Sequence, residues 1–269
     1  MKEFFGIGGY QREPEGYLSW QHLLFVTMLM IVMISLAIFL GRRNRQADEK
    51  SKNKPLIVAA LFMDSLELFK IVLGCVRASD PLNFLTELPL FLCSIQLITL
   101  PLAAFSKGRL KEAALDFVLI FGLLGAIFGT YFAGNNYASY PVLSFTNVVS
   151  GLTHCIAGFA ALYIGIVGMA SMKRKNIPIS FSILISFCVA ALIANPLLDY
   201  NYMFLVRGDG TPYDIFYNAV NGNAVLYPMI VILLFLIYIT VFYLIYFFAR
   251  SHTAEVRERR EEKEKRTHS

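Results

Sequence analysis

Charged residues are scarce in this chain of 269 residues, at 16% of the sequence against 57% hydrophobic residues. Soluble domains are usually about one quarter charged, so the composition argues against a soluble globular domain. Cysteine is also rare, with four residues, and no CxxC or HxxxH spacing occurs. The sequence therefore predicts no disulfide framework, no metal site and no cofactor.

What the sequence does contain is long apolar runs that alternate with short basic segments, the pattern of a helical membrane protein. A spanning helix needs about 20 mostly apolar residues. Seven segments meet that criterion: 22–40, 55–73, 88–105, 113–132, 148–170, 178–199 and 225–249. We predict an all-α polytopic membrane protein with an extracellular N-terminal segment (1–21), a seven-helix transmembrane domain (22–249) and a charged cytoplasmic tail (250–269).

The basic residues predict the orientation of these spans. Nineteen of the 24 Lys and Arg residues fall in one set of connections and the C-terminal tail. The opposite set holds only Lys2, Arg12, Arg77 and Arg207, while Lys70 lies inside a span. The positive-inside rule then places the N-terminus outside and the C-terminus in the cytoplasm of a cell membrane. The net charge of +5 is explained by these flanking residues, so no nucleic-acid partner is predicted.

Polar residues within the apolar layer are costly and mark a site by default. Asp64, Glu67 and Lys70 are spaced three residues apart in the second span, which places them on one stripe of the helix. One interpretation is a self-neutralising stripe that holds the bundle together. Another is a substrate path, because polar stripes and interrupted helices such as the one suggested by Asn195-Pro196 also build transporters.

Three residues capable of chemistry fall at one predicted depth: Cys93, His154 and Glu67. Each lies about 7–9 Å inside the same face of the membrane at 1.5 Å per residue. An imidazole that takes the proton of a thiol produces a thiolate, which attacks an ester carbonyl. The alternatives are that the cysteine is a small packing residue and that the histidine bonds across helices.

Acyl transfer also requires donors for the oxyanion. Asn147, Asn195 and Asn201 lie near the same interface, and the sequence does not select among them. Gly125 and Gly129 form a GxxxG motif, which predicts close helix packing rather than catalysis.

Three motifs carry a resemblance to a known family: Leu88-Pro89-Leu90 through Cys93-Ser94, the intramembrane histidine two spans later, and Asn201-Tyr202-Met203-Phe204-Leu205. Together they resemble the YwaF-like family of bacterial integral membrane proteins, which are similar to animal transmembrane protein 164. The resemblance extends from about the second span to the seventh.

The resemblance implies transfer of a fatty acyl chain from one lipid to a lysophospholipid. Cys93 matches the family's nucleophile and His154 its base. The family often has a histidine two places before the cysteine, where this chain has Phe91. The predicted substrate-binding or supporting residues are Glu67, Asn147, Asn195, Asn201 and Tyr202.

The leading hypothesis is thus a phospholipid acyltransferase near the outer leaflet of a bacterial cytoplasmic membrane. Its partners would be membrane phospholipids or lysophospholipids. Two alternatives remain open: a lipid hydrolase with the same Cys-His pair, and a transporter or binding protein for lipids or small solutes. The sequence specifies neither the acyl donor nor the oligomeric state.

Overall fold

A computed structural model describes residues 2–267 of the chain, with side chains for residues 2–249. The predicted charged tail, 250–269, therefore lies outside the described residues except for its backbone as far as Thr267. The chain divides into two compact units, Met1–Val206 and Arg207–Ser269. The candidate site belongs to the first unit.

Residues 2–267 form helices joined by turns and short irregular connections, without a strand. The α-helices are α1 (Lys2–Phe5), α2 (Trp20–Asn44), α3 (Glu49–Ala78), α4 (Gln96–Phe105), α5 (Gly108–Tyr131), α6 (Gly134–Ser139), α7 (Phe145–Val167), α8 (Ile177–Leu198), α9 (Asp214–Ala219) and α10 (Leu226–Thr267). The prediction of an all-α protein is confirmed.

Five segments of the described residues are long and apolar enough to cross a membrane: Trp20–Asn44, Gly108–Ser139, Phe145–Val167, Arg174–Leu198 and Leu226–Ala249. Helix α3, with 30 residues, covers the second predicted span but also contains the polar stripe and charged ends. Helix α4 has only 10 residues. The protein is therefore a multi-pass helical membrane protein, while the count of seven and the orientation stay predictions.

The third predicted span, 88–105, is not one helix. Its first part, 88–95, forms turns, and the α-helix begins only at Gln96. Pro89 has no backbone N–H, and the N–H of Leu90 already bonds the carbonyl of Leu88 at 2.7 Å, a tight turn that a helix does not contain. The hydropathy pattern does not distinguish the turns from the helix, because 88–95 is as apolar as the helix that follows. Cys93 consequently lies on a turn.

Helices α5 and α7 lie in close contact, and this contact positions the site. A Cβ added to Gly122 of α5 would lie 2.6 Å from the backbone oxygen of Ala157 on α7. Ser144 caps α7 by accepting a hydrogen bond from the N–H of Asn147 at 3.3 Å. The apolar face formed with α2, α3 and α4 includes fully buried Leu56 and Leu100.

At the opposite end of α5 and α7, one buried carboxylate binds the connection between α7 and α8. Asp116 of α5 is fully buried. Its Oδ1 accepts hydrogen bonds from the backbone N–H groups of Ser171 and Met172 at 3.0 and 2.9 Å. Its Oδ2 accepts from Nδ2 of Asn176 at 2.9 Å. A single side chain thus satisfies several buried donors of the α7–α8 connection.

We expect Asp116→Ala to lower the free energy of unfolding by about 3 kcal/mol or more, because each buried donor left unpaired costs about 1–3 kcal/mol. Glu112→Ala is the matched control on the same helix. Its ion pair with Lys173, at 2.8 Å, is partly exposed, and exposed ion pairs contribute little to stability. Thermal unfolding in detergent checks both; equal losses would contradict the role given to Asp116.

Candidate active site

A cavity of about 60 Å³ lies between α3, α5, α7 and the turn that precedes α4. Its walls are Met63, Glu67, Lys70, Cys93, Ser94, Gln96, Leu97, Gly125, Ser150, Thr153, His154 and Ala157. The three residues that the sequence placed at one depth, Cys93, His154 and Glu67, therefore share one cavity.

Cys93 is held by the tight turns that lead into α4. The N–H of Ile95 donates to the carbonyl of Phe91 at 3.1 Å, and the N–H of Gln96 donates to the carbonyl of Cys93 at 3.3 Å. The Phe91 ring packs against Tyr202, with the ring centroids 5.3 Å apart. The turn is thus fixed by its own hydrogen bonds and by an aromatic contact behind it.

His154 lies about two turns inside α7, with one ring nitrogen committed to its own helix. Its Nδ1 lies 2.7 Å from the backbone oxygen of Ser150. A carbonyl oxygen only accepts hydrogen bonds, so Nδ1 carries the proton. In the neutral ring, Nε2 is then left with its lone pair, which is the tautomer that a general base requires.

The Cys93 thiol and the His154 imidazole line the same cavity and act on each other electrostatically. Because Nδ1 is bound to Ser150, the nitrogen available to Cys93 is Nε2. An imidazole near a thiol can take the thiol proton.

The GxxxG motif of helix α5 lies against Cys93 and His154. A Cβ added to Gly125 would lie 3.9 Å from Cβ of Cys93, an ordinary contact. A Cβ added to Gly129 would overlap the Cδ2–Nε2 edge of the His154 ring. The motif does permit close packing, as the sequence predicted, and what it packs against is the thiol–imidazole pair.

Glu67 brings negative charge to the same cavity. Its side chain is almost fully buried, at 9% exposure, and it interacts electrostatically with His154. Lys70 is bound to Glu67 at 2.7 Å and to Glu87 at 3.1 Å. Lys70 of the polar stripe is thus paired with two carboxylates, whereas Asp64 of the same stripe has one buried carboxylate oxygen without a hydrogen-bond partner among the described residues. Glu67 remains close enough to favour a positive charge on His154.

Asn147 does not line the cavity. Its Nδ2 donates to the backbone oxygens of Tyr140 and Pro141, at 3.0 and 3.1 Å, and at longer range to that of Asn136. This amide ties the α6–α7 connection to the first turn of α7.

Asn195, Asn201 and Tyr202 lie behind the cavity. Asn195 accepts from the Tyr202 N–H at 2.6 Å and donates to the Tyr202 carbonyl at 3.2 Å. Asn201 accepts from the N–H of Val206 at 2.9 Å. Burial raises the pKa of Tyr202 to about 12, so its hydroxyl stays protonated and donates to the carbonyl of Leu85. These residues support the chain before Cys93.

The interruption expected at Asn195-Pro196 is the end of a helix. Helix α8 continues through Pro196 to Leu198 and stops at Asp199, which has a left-handed backbone. A proline two residues before a helix end removes few hydrogen bonds. One of the two features that suggested a transporter is therefore a helix end. In the other, the stripe of Asp64, Glu67 and Lys70, the lysine is held by two carboxylates.

Sequence reasoning missed Gln96, which follows Cys93 by three residues and lines the cavity. A spacing of three near a helix start places two side chains on one face, and that signal was available. It also missed His22, which is fully buried. The His22 ring accepts from Leu18 N–H and donates to the carbonyl of Thr130, at 3.2 and 3.0 Å. His22 is therefore a packing residue away from the cavity.

Among residues 2–249 the structure places no group of three or more His, Cys, Asp or Glu side chains that could hold a metal ion. The cavity wall offers a thiol, an imidazole, a carboxylate, an ammonium, an amide and three hydroxyl groups.

Comparison with known proteins gives one match. No curated protein matches the chain, and no solved structure matches it. The model of the TMEM164 family matches residues 17–256, which include every helix from α2 to α9 and all walls of the cavity. The chain therefore belongs to the TMEM164 family.

Proposed function

We propose that this protein is an integral membrane acyltransferase that moves fatty acyl chains between phospholipids and lysophospholipids near the outer leaflet. The observation that supports it best is the interaction of Cys93 with His154 inside a cavity that also holds a carboxylate. Membership of the TMEM164 family, and the resemblance of the Cys93 motif described above, agree with it.

In the first half-reaction, Nε2 of His154 takes the proton of the Cys93 thiol. The thiolate attacks the ester carbonyl carbon of a donor lipid, and a tetrahedral intermediate forms. When it collapses, the bond to the lipid oxygen breaks, and His154 returns the proton to that oxygen. The products are a lysolipid and an acyl thioester on Cys93.

In the second half-reaction, His154 takes the proton of an acceptor hydroxyl, and the hydroxyl oxygen attacks the thioester. The C–S bond breaks, and the proton passes from His154 to the departing sulfur. Glu67 favours both half-reactions, because a carboxylate near the imidazolium lowers the cost of the charge that forms on His154.

The dimensions of the cavity fit this use. At about 60 Å³ it accommodates the reacting ester group, and the lipid tails would lie outside it. The outer faces of helices such as α2 are apolar, and Leu24 and Met28 are exposed there. Such faces would contact the lipid tails.

The test is to trap the thioester. Membranes containing the protein are incubated with a phospholipid that has an alkyne-labelled acyl chain, and labelled protein is examined by mass spectrometry. We expect label on Cys93 that hydroxylamine removes, because thioesters are cleaved by hydroxylamine.

Cysteine variants provide the controls. Cys155 is adjacent to His154 in sequence and is buried outside the cavity, so Cys155→Ala should label like the wild type. Cys93→Ala should not label. Undiminished label in Cys93→Ala would refute a Cys93 nucleophile.

The hydrolase alternative shares the thioester and differs in the acceptor. After trapping, the labelled protein is given unlabelled lysophospholipid. Transfer moves the label into phospholipid, whereas release as free fatty acid with no labelled phospholipid would identify water as the acceptor.

A further inference from the structure

Gln96 is a polar group in the cavity to which the proposed reaction has so far given no part. Its side chain is 1% exposed. Its Oε1 lies 3.2 Å from the Thr99 hydroxyl, which is also 3.2 Å from the carbonyl of Ile95 and shares its one proton between them. The Gln96 Nε2 has no hydrogen-bond partner among the described residues. Buried polar groups are almost always paired. An unpaired donor at a cavity wall therefore requires an explanation, and a ligand atom that arrives during the reaction supplies one.

The position of Gln96 relative to the nucleophile is fixed by the backbone. Its N–H donates to the carbonyl of Cys93 at 3.3 Å, so the two residues are one tight turn apart. The N–H of Ser94, between them, donates to no backbone acceptor within the described part of the chain. Two donors, one from the Gln96 side chain and one from the Ser94 backbone, thus belong to the residues that follow Cys93 in the wall of the same cavity.

We propose that the Gln96 side-chain amide and the Ser94 N–H bind the oxyanion that forms when Cys93 is acylated and deacylated. This inference rests on the proposed acyl transfer and adds a catalytic residue to it. It replaces the asparagine candidates of the sequence, because Asn147, Asn195 and Asn201 are not among the residues that line the cavity. The amides of Asn147 and Asn195 also donate to backbone carbonyls already.

The step balances as follows. The sulfur of Cys93 forms a bond to the carbonyl carbon, and the π electrons of the C=O bond move to the oxygen. That oxygen, now negative, accepts hydrogen bonds from Nε2 of Gln96 and from the Ser94 N–H. When the C=O bond re-forms, the lipid oxygen leaves with its bonding electrons and receives a proton from His154.

The other cationic or amide groups are less suited to this role. Lys70 lines the cavity, but its ammonium is bound to Glu67 and Glu87. The amide of Gln96 is neutral and held at its oxygen end by Thr99. Donors fixed before the charge develops stabilise it most in a site that excludes water.

Two reactions of the same sulfur separate this role from others. A long-chain iodoacetamide alkylates Cys93 by direct displacement, with no oxyanion. p-Nitrophenyl palmitate acylates it through an oxyanion, and the burst of p-nitrophenolate gives the rate. Because the loss of one oxyanion donor typically costs about 10²- to 10³-fold in rate, we expect acylation of Gln96→Ala to fall by that factor. Alkylation should stay within about twofold of wild type.

Two further Gln96 variants and one control complete the experiment. Gln96→Met keeps the volume of the side chain and removes the unpaired amide, so it should fold at least as stably as wild type and acylate as slowly as Gln96→Ala. Gln96→Glu should be slower still, because its charge repels the oxyanion. Ile98→Ala, on the exposed side of α4, should leave both rates unchanged.

The outcomes are distinguishable. Acylation of Gln96→Ala and Gln96→Met at the wild-type rate would overturn the role of Gln96 and leave the proposed function intact. Equal loss of alkylation and acylation would also overturn it, because a merely structural residue behaves in that way. If wild-type Cys93 is alkylated but never acylated, the proposed function itself is wrong.

Discussion

His154→Ala is expected to slow acylation of Cys93 by about 10³-fold, within the range of about 10²- to 10⁴-fold for a general acid–base group. The reason is the fixed tautomer of His154: with Nδ1 bound to Ser150, Nε2 is the base that removes the thiol proton. Without it, few Cys93 side chains are thiolates near neutral pH, and the lysolipid leaves without a proton. The burst of p-nitrophenolate from p-nitrophenyl palmitate measures the change.

The alkylation rate distinguishes His154→Ala from Gln96→Ala. His154→Ala should lower alkylation by iodoacetamide as well as acylation, because both reactions need the thiolate. Raising the pH should restore alkylation, since hydroxide then removes the proton. Gln96→Ala, by contrast, should affect acylation alone.

His22→Ala is the matched control, since His22 is the other histidine of α2–α8. It is fully buried and stacked on Tyr137, with the ring centroids 3.8 Å apart. Its loss should reduce thermal stability while the folded protein keeps its acylation rate. If the two histidine variants lost acylation equally, His154 would not be the base.

Gly129→Ala is expected to reduce acylation by about 10²-fold or more while the protein still folds. The added Cβ would overlap the Cδ2–Nε2 edge of His154. That ring is the end of a side chain and can move, so the variant displaces the base rather than separating the helices. A misplacement of about 1 Å can cost about 10²-fold in rate.

Two other glycines test this reasoning. Gly165→Ala should be neutral, because its Cβ would lie 3.5 Å from the Leu119 side chain, an ordinary contact. Gly122→Ala would place its Cβ 2.6 Å from the backbone oxygen of Ala157. This oxygen cannot move unless the backbone of α7 moves with it. The variant should therefore lower the thermal midpoint. Wild-type acylation in a folded Gly129→Ala protein would show that His154 does not act from this position.

The sequence predicted the helical membrane architecture and a common depth for Cys93 and His154, because both follow from hydropathy and from the rise of a helix. Whether the two side chains approach each other did not follow from the sequence. It did not predict that the chain before α4 is irregular. An apolar run has the same hydropathy whether it forms turns or a helix. Pro89 was compatible with both, because proline also occurs near helix starts.

The supporting residues illustrate a second limit. Asn147 and Asn195 lie near the predicted depth of the site, yet their amides are consumed by backbone carbonyls. Depth along a helix is readable from sequence, whereas the direction and the partners of an amide are set by the tertiary fold. Gln96 was recognisable only by its spacing from Cys93.

The shortness of α4 has a consequence for the bilayer. Ten residues rise about 15 Å, about half of a hydrocarbon core of about 30 Å. Non-helical backbone is tolerated at such depth only where protein or a polar cavity surrounds it, never against lipid tails. The turn at 88–95 and the cavity therefore depend on each other. A wholly helical segment at the predicted third span would satisfy the membrane and leave Cys93 without its reactive surroundings.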